Sequence, residues 1–484
     1  MALAALAACA TPHLAREGRN APPPSPSEPW QPSAGAAARF TPAESSLAHF
    51  QEPARSRPST ALTSTMTLPD VIDAALERNP QTRATWADAR AAAANVDIAR
   101  AAFLPSLDAG VTGGPTRSVS QNNRVPNSRT TYNPQIALSY LLFDFGGRSG
   151  TIAAARQRLA AADFTHNSTI QQVVLQTEVA YFTYQANRQV RDAQDATVRV
   201  AQANLDAATQ RREVGLATIA DVLQARTALA QVRLDLQTYE GSTQAARAQL
   251  AASIGVRPTD PFDVVNDSTP PRTGDVAAAV DSLIDAAAAS RPDLAAARAL
   301  ARSAQAEVRV ARSQLLPAIT VGANVGRTIS NVNGLSGKTS GISLGVSLPI
   351  FPGLFAQYGV LSAREQAAAA VARAQNSQLL VAQQVYASYY DLRTSAQRVA
   401  TSTELLDAAT QSLEVAQGRY REGVGSILDL LTAQSALATA RTQAVQARWT
   451  WYQSLAQLTY DVGALGPRGE SPLPLTSGAP GGPR

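Results

Sequence analysis

Four stretches of the chain alternate apolar and polar residues with a period of two. They read SLDAGVTG (106–113) and QIALSYLLF (135–143) in the first half, and AITVGANVG (318–326) and GISLGVSL (341–348) in the second. Such alternation places successive side chains on opposite faces of an extended chain and predicts β-strands. Polar segments within 113–134 and 327–341 separate the members of each pair, so the pattern predicts two β-hairpins with polar loops.

The two faces of these strands differ in composition. One face is apolar, whereas the other carries mainly Gly, Ser, Thr, Asn and Gln. A sheet in a bilayer turns its apolar face to lipid and its polar face to a wet lumen, with aromatic residues near the strand ends. This favours a membrane sheet over the alternative, a half-buried sheet of a soluble protein. The aromatic residues just past the strands are Phe143, Phe145, Phe351, Phe355 and Tyr358.

Long alanine-rich runs follow each predicted hairpin. Residues 147–211 and 357–420 contain no proline and almost no glycine. At 1.5 Å per residue, each run would form a helix of roughly 100 Å. Each is followed by a short glycine-containing break and a second helical run, 219–254 or 427–462. The pattern predicts two long antiparallel helical hairpins.

The glycine breaks have matching chemistry. They read VGLATIAD (214–221) and GVGSILD (423–429). Glycine permits the left-handed backbone that ends a helix, and the hydroxyl of Thr218 or Ser426 can cap the helix that follows. Asp221 and Asp429 lie in the first turn of that helix, where its dipole favours a negative charge. Both breaks are therefore predicted to be the turns of the helical hairpins.

The chain is an internal duplication. Ile72 matches Ile284 at an offset of 212 residues, and after the strands Gly215 matches Gly423 at an offset of 208. Self-similarity of this kind indicates a repeated structural unit. Four strands cannot close a barrel, and open strand edges do not occur in hydrocarbon. Several copies of the chain must therefore close one sheet together.

Composition excludes several function classes. The net charge is +5, but the arginines are scattered along the helical runs instead of forming the basic patch of a nucleic-acid-binding protein. One cysteine and three histidines (His13, His49 and His166) cannot assemble a His/Cys metal site or a Cys/His nucleophile. We expect no enzyme activity, no cofactor and no nucleic-acid partner.

The N-terminal region resembles a lipoprotein leader. Residues 1–9 end in LAALAAC, an apolar run followed by Cys9, which is similar to the lipobox at which bacterial lipoproteins are acylated. A chance cysteine in an ordinary leader is the alternative. Residues 10–65 are rich in Pro, Ala and Ser and predict a flexible tether, and 467–484 predict a flexible tail. No apolar stretch is long enough for a transmembrane helix.

The sequence resembles the TolC family of outer-membrane efflux factors over residues 66–466. The motifs that carry the resemblance are ALERNP, FLP, LLFDFGG, VGLATIADVLQA, LPIFPG and GVGSILDLLTA. The resemblance implies a mainly α fold with a transmembrane β-barrel portion. Three chains with four strands each would close a twelve-stranded barrel, and their helical hairpins would form an α-barrel tunnel across the periplasm. The two repeats would span 66–255 and 276–466, joined by an equatorial linker at 256–275.

The resemblance also implies site residues at the periplasmic tips. Asp221 and Asp429 match positions near the constricted entrance of the tunnel, where copies from three chains would gather negative charge. In some members an arginine two residues after the second-tip glycine helps to lock the closed state. This chain has Gly425 there, and Arg419 or Arg421 could substitute. The adaptor-docking positions are Val214, Gly215, Leu216, Ala217, Thr218, Gly423, Val424, Gly425 and Ser426.

The expected function is a passive outer-membrane duct of a tripartite efflux or type I secretion system. The implied partners are two further copies of the chain, a periplasmic adaptor (membrane fusion) protein, an inner-membrane transporter of RND, ABC or MFS type, and outer-membrane lipid. The alternative is a lipid-anchored periplasmic coiled-coil scaffold, for which two-faced strands with wholly apolar outer sides would have no use.

Overall fold

The computed structural model describes residues 25–30, 65–119, 126–266, 279–332, 336–351 and 353–466. Two sets of elements follow each other in the same order: two helices, a β-hairpin, a long helix and a return helix. The first set is α1 (Leu68–Arg78), α2 (Pro80–Ala101), β1 (Ser106–Val119), β2 (Pro126–Phe143), α3 (Gly147–Glu213) and α4 (Ile219–Ile254). The second set is α5 (Val280–Ser290), α6 (Pro292–Ser313), β3 (Ala318–Ser330), β4 (Gly337–Ser347), α7 (Phe355–Arg421) and α8 (Ile427–Asp461).

The helical hairpins and the duplication are confirmed. α3 and α7 have 67 residues each, and their ends lie within two residues of the predicted ones. The return helices begin where predicted because each break ends in a capping residue. Within the described part of the chain, no helix has a stretch long and apolar enough to cross a membrane.

The four strands form one antiparallel sheet in the order β1–β2–β3–β4. Its register keeps the apolar positions on one face and the small polar positions on the other, and a slip of one residue would reverse the faces. One apolar row consists of Leu107, Leu138, Ala323 and Ile342. The adjoining row on the opposite face consists of Ser106, Ser139, Gly322 and Ser343. The outer edges of the sheet belong to β1 and β4.

The strands differ from the prediction at their ends. β1 and β2 continue into the polar segment 113–134, because residues from Gly113 onward pair in register with residues up to Tyr132. Cross-strand hydrogen bonds here override the weak strand preference of the individual residues. Leu348, in contrast, lies just beyond β4. The residue after it is Pro349, which has no N–H to donate to a ladder.

Each hairpin joins its long helix through two successive residues with a left-handed backbone. In the first half these are Phe145 (φ +51°) and Gly146 (φ +96°). In the second they are Gly353 (φ +67°) and Leu354 (φ +65°). The turn is the same in both repeats although glycine takes its second position in one and its first in the other. Backbone geometry has therefore been kept while the side chains diverged.

The break between α1 and α2 packs against the end of the return helix α4. Gly255 ends α4 with φ +82°, and a Cβ atom there would lie 2.9 Å from the carbonyl oxygen of Arg78. The Asn79 side chain reaches the same place, since its Nδ2 donates to the carbonyl oxygen of Ser253 at 3.1 Å. Only glycine fits both the backbone angle and the space at this junction.

At the equivalent junction of the second repeat, the side chains in contact are charged. Gly463 has φ +76°, and a Cβ atom there would lie 3.1 Å from the backbone nitrogen of Arg291. Arg291, which replaces the asparagine of the first repeat, is buried and forms ion pairs with Asp293 at 2.6 Å and with Asp461 at 3.7 Å. Its Nη1 also donates to Oε1 of Gln384 at 2.7 Å. A neutral hydrogen bond in one half thus corresponds to an ionic network in the other.

The chain divides into two compact units. One contains Asp88–Asp163 and Ala296–Asn376, and therefore the whole sheet. The other contains Phe164–Ala295 and the described parts of Pro23–Ala87 and Ser377–Arg484. Its core includes an aromatic cluster in which Phe182 stacks on Trp449 and Tyr452 at 5.9 and 5.4 Å between ring centroids. Tyr181 and Phe182 therefore serve helix packing.

Six residues of the predicted tether are packed against α3. The backbone N–H of Trp30 donates to Oδ1 of Asn167 at 2.7 Å, and Nδ2 of Asn167 donates to the carbonyl oxygen of Trp30 at 3.0 Å. The Trp30 ring meets Phe164 edge-on at 5.3 Å. Residues 25–30 are thus held at a defined place. Residues 10–24 and 31–64, Cys9 and the tail 467–484 lie outside the described residues.

We expect Gly255→Ala to destabilise the protein. The substitution forces a side chain into a left-handed backbone and against the Arg78 carbonyl, which should cost about 1–3 kcal/mol of unfolding free energy. Gly241→Ala is the matched control, because Gly241 lies inside α4 with open space where the added methyl group would stand and alanine favours helix by about 1 kcal/mol. Unfolding followed by far-UV circular dichroism in detergent measures both. Equal effects would contradict the junction's role.

Candidate functional site

The first candidate docking turn closes the hairpin of α3 and α4. Gly215 adopts φ +79°, and the N–H of Leu216 donates to the carbonyl oxygen of Arg211 at 2.7 Å, which ends α3. The side chains of Val214 and Leu216 are 69% and 70% exposed. The turn therefore presents apolar groups to solvent at the end of a long helical hairpin.

The second candidate turn closes the hairpin of α7 and α8 in the same way. Gly423 adopts φ +77°, and the N–H groups of Val424 and Gly425 both donate to the carbonyl oxygen of Arg419 at 3.0 Å. Val424 is exposed like its counterparts in the first turn. A Cβ atom on Gly425 would lie 3.1 Å from the backbone of Arg419 and of Tyr420, so this position has little room for a side chain.

Both return helices begin with the same reciprocal cap. Oγ1 of Thr218 accepts from the N–H of Asp221 at 3.2 Å, and Oδ2 of Asp221 accepts from the N–H of Thr218 at 2.7 Å. Ser426 and Asp429 repeat the arrangement at 3.1 and 3.3 Å. Each hydroxyl thus acts as the predicted cap. Each aspartate has a local structural role, as the N3 residue of a capping box, that is separate from any role in a charged ring.

A contact that no sequence pattern predicted joins the two tips. Nη1 of Arg211 donates to the carbonyl oxygen of Tyr420 at 2.6 Å, and the guanidinium lies 4.7 Å from the centroid of the Tyr420 ring. Burial raises the pKa of the Tyr420 phenol, the Arg211 charge opposes that rise, and the Asp221 carboxylate adds to it. The only signal in the sequence is that both residues stand three or four positions before a tip glycine.

Farther along the helices from the two turns, the hairpins of the chain are in contact through polar side chains of α3 and α8. We call this contact the polar seam. Nδ2 of Asn204 on α3 donates to Oε1 of Gln434 on α8 at 2.6 Å. A cavity of about 260 Å³ next to it is lined by Gln194, Thr197 and Asp235, among others. Near the tips, a small apolar cluster of Ala208, Ala225 and Ile427 joins the two hairpins, and a second cluster around Leu413 and Leu430 lies within the α7–α8 hairpin. A seam of this kind can separate without exposing a large apolar core.

The strand faces and the aromatic residues beyond them are exposed in a single chain. Ile342, Leu344 and Val346 of β4 are 87%, 68% and 67% exposed. The five aromatic residues named above are exposed as well. Contiguous exposed apolar surface of this extent marks an interface with lipid or protein.

Known proteins resemble the chain across both repeats. The family model described as outer membrane efflux protein matches residues 71–256 and 283–464. Protein CyaE of Bordetella pertussis is 29% identical over 385 residues, which cover 78% of this chain and 80% of that protein. Outer membrane protein TolC of Escherichia coli K12 is 26% identical over 406 residues, which cover 80% of each.

Solved structures share the fold. The CmeC outer membrane channel of Campylobacter jejuni superposes with a TM-score of 0.73 at 18% identity, covering 86% of this chain and 90% of that one. A membrane protein from Pseudomonas aeruginosa superposes with a TM-score of 0.75 at 23% identity, covering 85% and 98%. Because the family model covers well over half of the chain, the chain belongs to the outer membrane efflux protein family, and it is an outer-membrane channel protein for efflux or secretion.

Proposed function

We propose that three copies of the chain form one passive duct through the outer membrane and across the periplasm. The observation that carries the proposal is the four-stranded sheet, which has a continuous apolar face and two open edges. In hydrocarbon every backbone polar group needs a partner, so β4 of one copy would pair with β1 of the next until the sheet closes. Three copies would close a barrel of twelve strands, the number that the family resemblance implies.

A periplasmic adaptor would dock on the tips of this duct, and an inner-membrane transporter of RND, ABC or MFS type would drive transport. The exposed apolar side chains of Val214, Leu216 and Val424 support this, since such groups at a helical turn suit a protein partner. A relative from Pseudomonas putida is named as the outer membrane protein of a toluene efflux pump. The contact between the two hairpins is polar, which supports a duct that a bound partner opens by separating the hairpins.

Asp221 and Asp429 would line the entrance of the closed duct. Three copies of each would concentrate negative charge, which attracts cations and repels anions. We also propose that Cys9 is acylated, with palmitate among the added chains, and anchors the N-terminus beside the barrel.

The competing proposal is a lipid-anchored periplasmic scaffold. A scaffold held only by acyl chains would leave the membrane when Cys9 is removed, because lipid chains anchor much more weakly than an inserted barrel. We expect the Cys9→Ala variant to remain in the outer-membrane fraction after washing with alkaline carbonate. Membrane fractionation of cells that express each form measures this. Release of the variant into the periplasmic fraction would overturn the channel proposal.

The docking turns can be tested by Leu216→Asp and Val424→Asp. Loss of an apolar anchor at an interface costs about 2 kcal/mol, so adaptor affinity should fall roughly 30-fold and export from cells should fail. Export is measured as substrate accumulation in intact cells. Conductance in planar bilayers and the oligomeric mass serve as controls, because both should be unchanged. Normal export by the double variant would exclude these turns as the docking site.

The charged entrance can be tested by Asp221→Asn combined with Asp429→Asn. The double variant should lose cation preference, measured as the ratio of cation to anion permeability in planar bilayers. Asp70→Asn is the matched control, since Asp70 forms the same kind of capping box with Thr67 (2.9 Å) away from the tips. It should affect stability without altering permeability. Unchanged selectivity in the double variant would leave both aspartates as helix caps only.

A further inference from the structure

The outer ends of the two β-hairpins carry positive charges without any negative ones. We call outer the end of the sheet that lies farthest along the strands from the helices. The chain has no aspartate or glutamate between Asp108 and Asp144, or between Glu307 and Glu365. Five cations occur on the hairpins, all toward their outer ends: Arg117, Arg124, Arg129, Arg327 and Lys338. Arg124 lies outside the described residues, and the other four are exposed.

Two of these cations face each other directly. Arg327 of β3 and Lys338 of β4 are opposite partners in the ladder. Directly opposite residues have Cβ atoms about 4.5–5.5 Å apart, and like charges at such positions destabilise a sheet. Side chains two residues apart share a face, so the two cations continue the apolar side on which Ala323 opposes Ile342. We call Arg327 and Lys338 the cation pair.

The other two described cations lie on opposite sides of the sheet. Arg117 of β1 is ten residues from Leu107 and therefore belongs to the apolar side. Arg129 of β2 pairs with Thr116 on the side of the small polar residues. Three of the four described cations thus lie on the side that faces lipid in the proposed duct, and one lies on the side that faces its lumen.

Beyond Asp108, at the inner end of β1, the hairpins hold no carboxylate that could balance the cation pair. Within the described part of the chain, neither Arg327 nor Lys338 forms an ion pair or a side-chain hydrogen bond. The hairpins of a neighbouring copy would not supply a carboxylate, because they lack acidic residues over the same stretches. The cation pair therefore keeps a charge that an anion from outside the protein can balance.

The spacing along the strands places the cation pair at the border of the apolar surface. Eight residues separate Ile319 from Arg327 and Val346 from Lys338, which is about 27 Å along each strand. Strands tilted by about 40° rise about 20 Å over that length, which is close to the height of about 25 Å of the apolar band on outer-membrane barrels. The cation pair is therefore at the level where hydrocarbon gives way to lipid headgroups.

A tyrosine marks the same level independently. Tyr132 of β2 pairs with Ile329, two residues beyond Arg327, on the apolar side. Its ring lies across Gly113 of β1, where an added Cβ atom would be 2.5 Å from Cδ1 of the ring. Tyrosine side chains gather at membrane–water interfaces, where the ring meets lipid and the hydroxyl meets water. The strand spacing and the tyrosine therefore both place the cation pair among lipid headgroups.

We propose that Arg327 and Lys338 together bind the phosphate group of a lipid in the outer leaflet. The inference rests on the proposed duct, whose helices cross the periplasm and whose hairpin ends therefore reach the cell surface. A phosphate between the two side chains would accept hydrogen bonds from the guanidinium fork and from the ammonium group. It would also remove the repulsion between them. Arg117 adds positive charge to the same outer surface.

The occupant is a lipid because the cation pair adjoins a surface for acyl chains. Ile342, Leu344 and Val346 follow Lys338 along the same side of β4 and are strongly exposed. A lipid whose phosphate lies on the cation pair would lay its acyl chains over these residues. Free phosphate would gain only the charge contact, which salt screens over a Debye length of about 8 Å. The two contacts together favour a phosphorylated lipid over inorganic phosphate.

Binding of lipid A, a glycolipid with phosphate on its sugars, tests the inference. The full-length protein in a non-ionic detergent is titrated against fluorescent lipid A, and fluorescence anisotropy gives the Kd. Arg327→Gln combined with Lys338→Gln should weaken binding about 25-fold, that is about five-fold for each cation lost beside an anionic headgroup. Arg129→Gln is the matched control and should leave the Kd unchanged, because Arg129 lies on the other side of the sheet at the same end.

Two further ligands separate the phosphate contact from the acyl-chain contact. Lipid A without its phosphate groups should bind the unmodified protein as weakly as lipid A binds the double variant. Inorganic phosphate at millimolar concentration should leave bound lipid A in place. Displacement by inorganic phosphate would overturn the assignment to a lipid, and equal Kd values for the unmodified protein and the double variant would overturn the site itself.

Chemical modification of Lys338 gives a second measurement, because this is the only lysine of the chain. The assembled protein is placed in phosphatidylcholine nanodiscs with or without lipid A and treated with an amine-reactive reagent. Lipid A should slow the modification of Lys338 several-fold, measured on its peptide by mass spectrometry, and Arg327→Gln should remove most of this protection. Equal rates with and without lipid A would contradict the inference.

The outcomes separate this inference from the proposed function. A trimeric mass and normal conductance, together with equal lipid A binding by the unmodified protein and the double variant, would overturn the phosphate site and leave the duct intact. A monomeric mass without conductance would overturn the duct itself. The expected result is a double variant that remains trimeric and conducting but binds lipid A weakly.

Discussion

The structure depends on one constraint, which is that backbone N–H and C=O groups have no water to bind inside a bilayer. A four-stranded sheet leaves the outer groups of β1 and β4 without partners in a single chain, although its face is apolar from edge to edge. Such a sheet is complete only when copies of the chain join it. The ring of helices follows from the same closure, because every strand pair continues directly into a long helix through a left-handed turn.

The duplication uses one backbone plan with two sets of side chains. Both halves close the break between their first helices with a glycine of positive φ, yet Asn79 does in the first half what the buried Arg291 network does in the second. Both halves place their long helix after a hairpin of the same sheet, yet Gly150 takes the inner position and Tyr358 the exposed one. The same backbone plan therefore carries different side-chain contacts in the two halves.

Each tip turn has a well-defined conformation, whereas the contacts between the two hairpins are mainly polar. Each turn is fixed by a glycine and by a reciprocal cap, so its apolar side chains are presented in a defined geometry. The two turns are joined by Arg211 and Tyr420, with a small apolar cluster and a polar seam above them. Polar contacts can exchange for water when hairpins separate, which an extensive apolar core could not do without a large cost.

The sequence by itself determined the positions of the four strands, the ends of the long and return helices, and the tip turns with their caps. Period-two alternation, alanine-rich runs without proline and single glycines are all local features of the chain, so the breaks at Gly215 and Gly423 could be recognised without a structure. Only the tertiary structure decided that Arg211 meets Tyr420, that Gly150 lies against Val310, and that Trp30 is held by Asn167. The partners in these contacts are separated by more than a hundred residues, and which side chains meet depends on how whole helices pack, a property that no local pattern encodes.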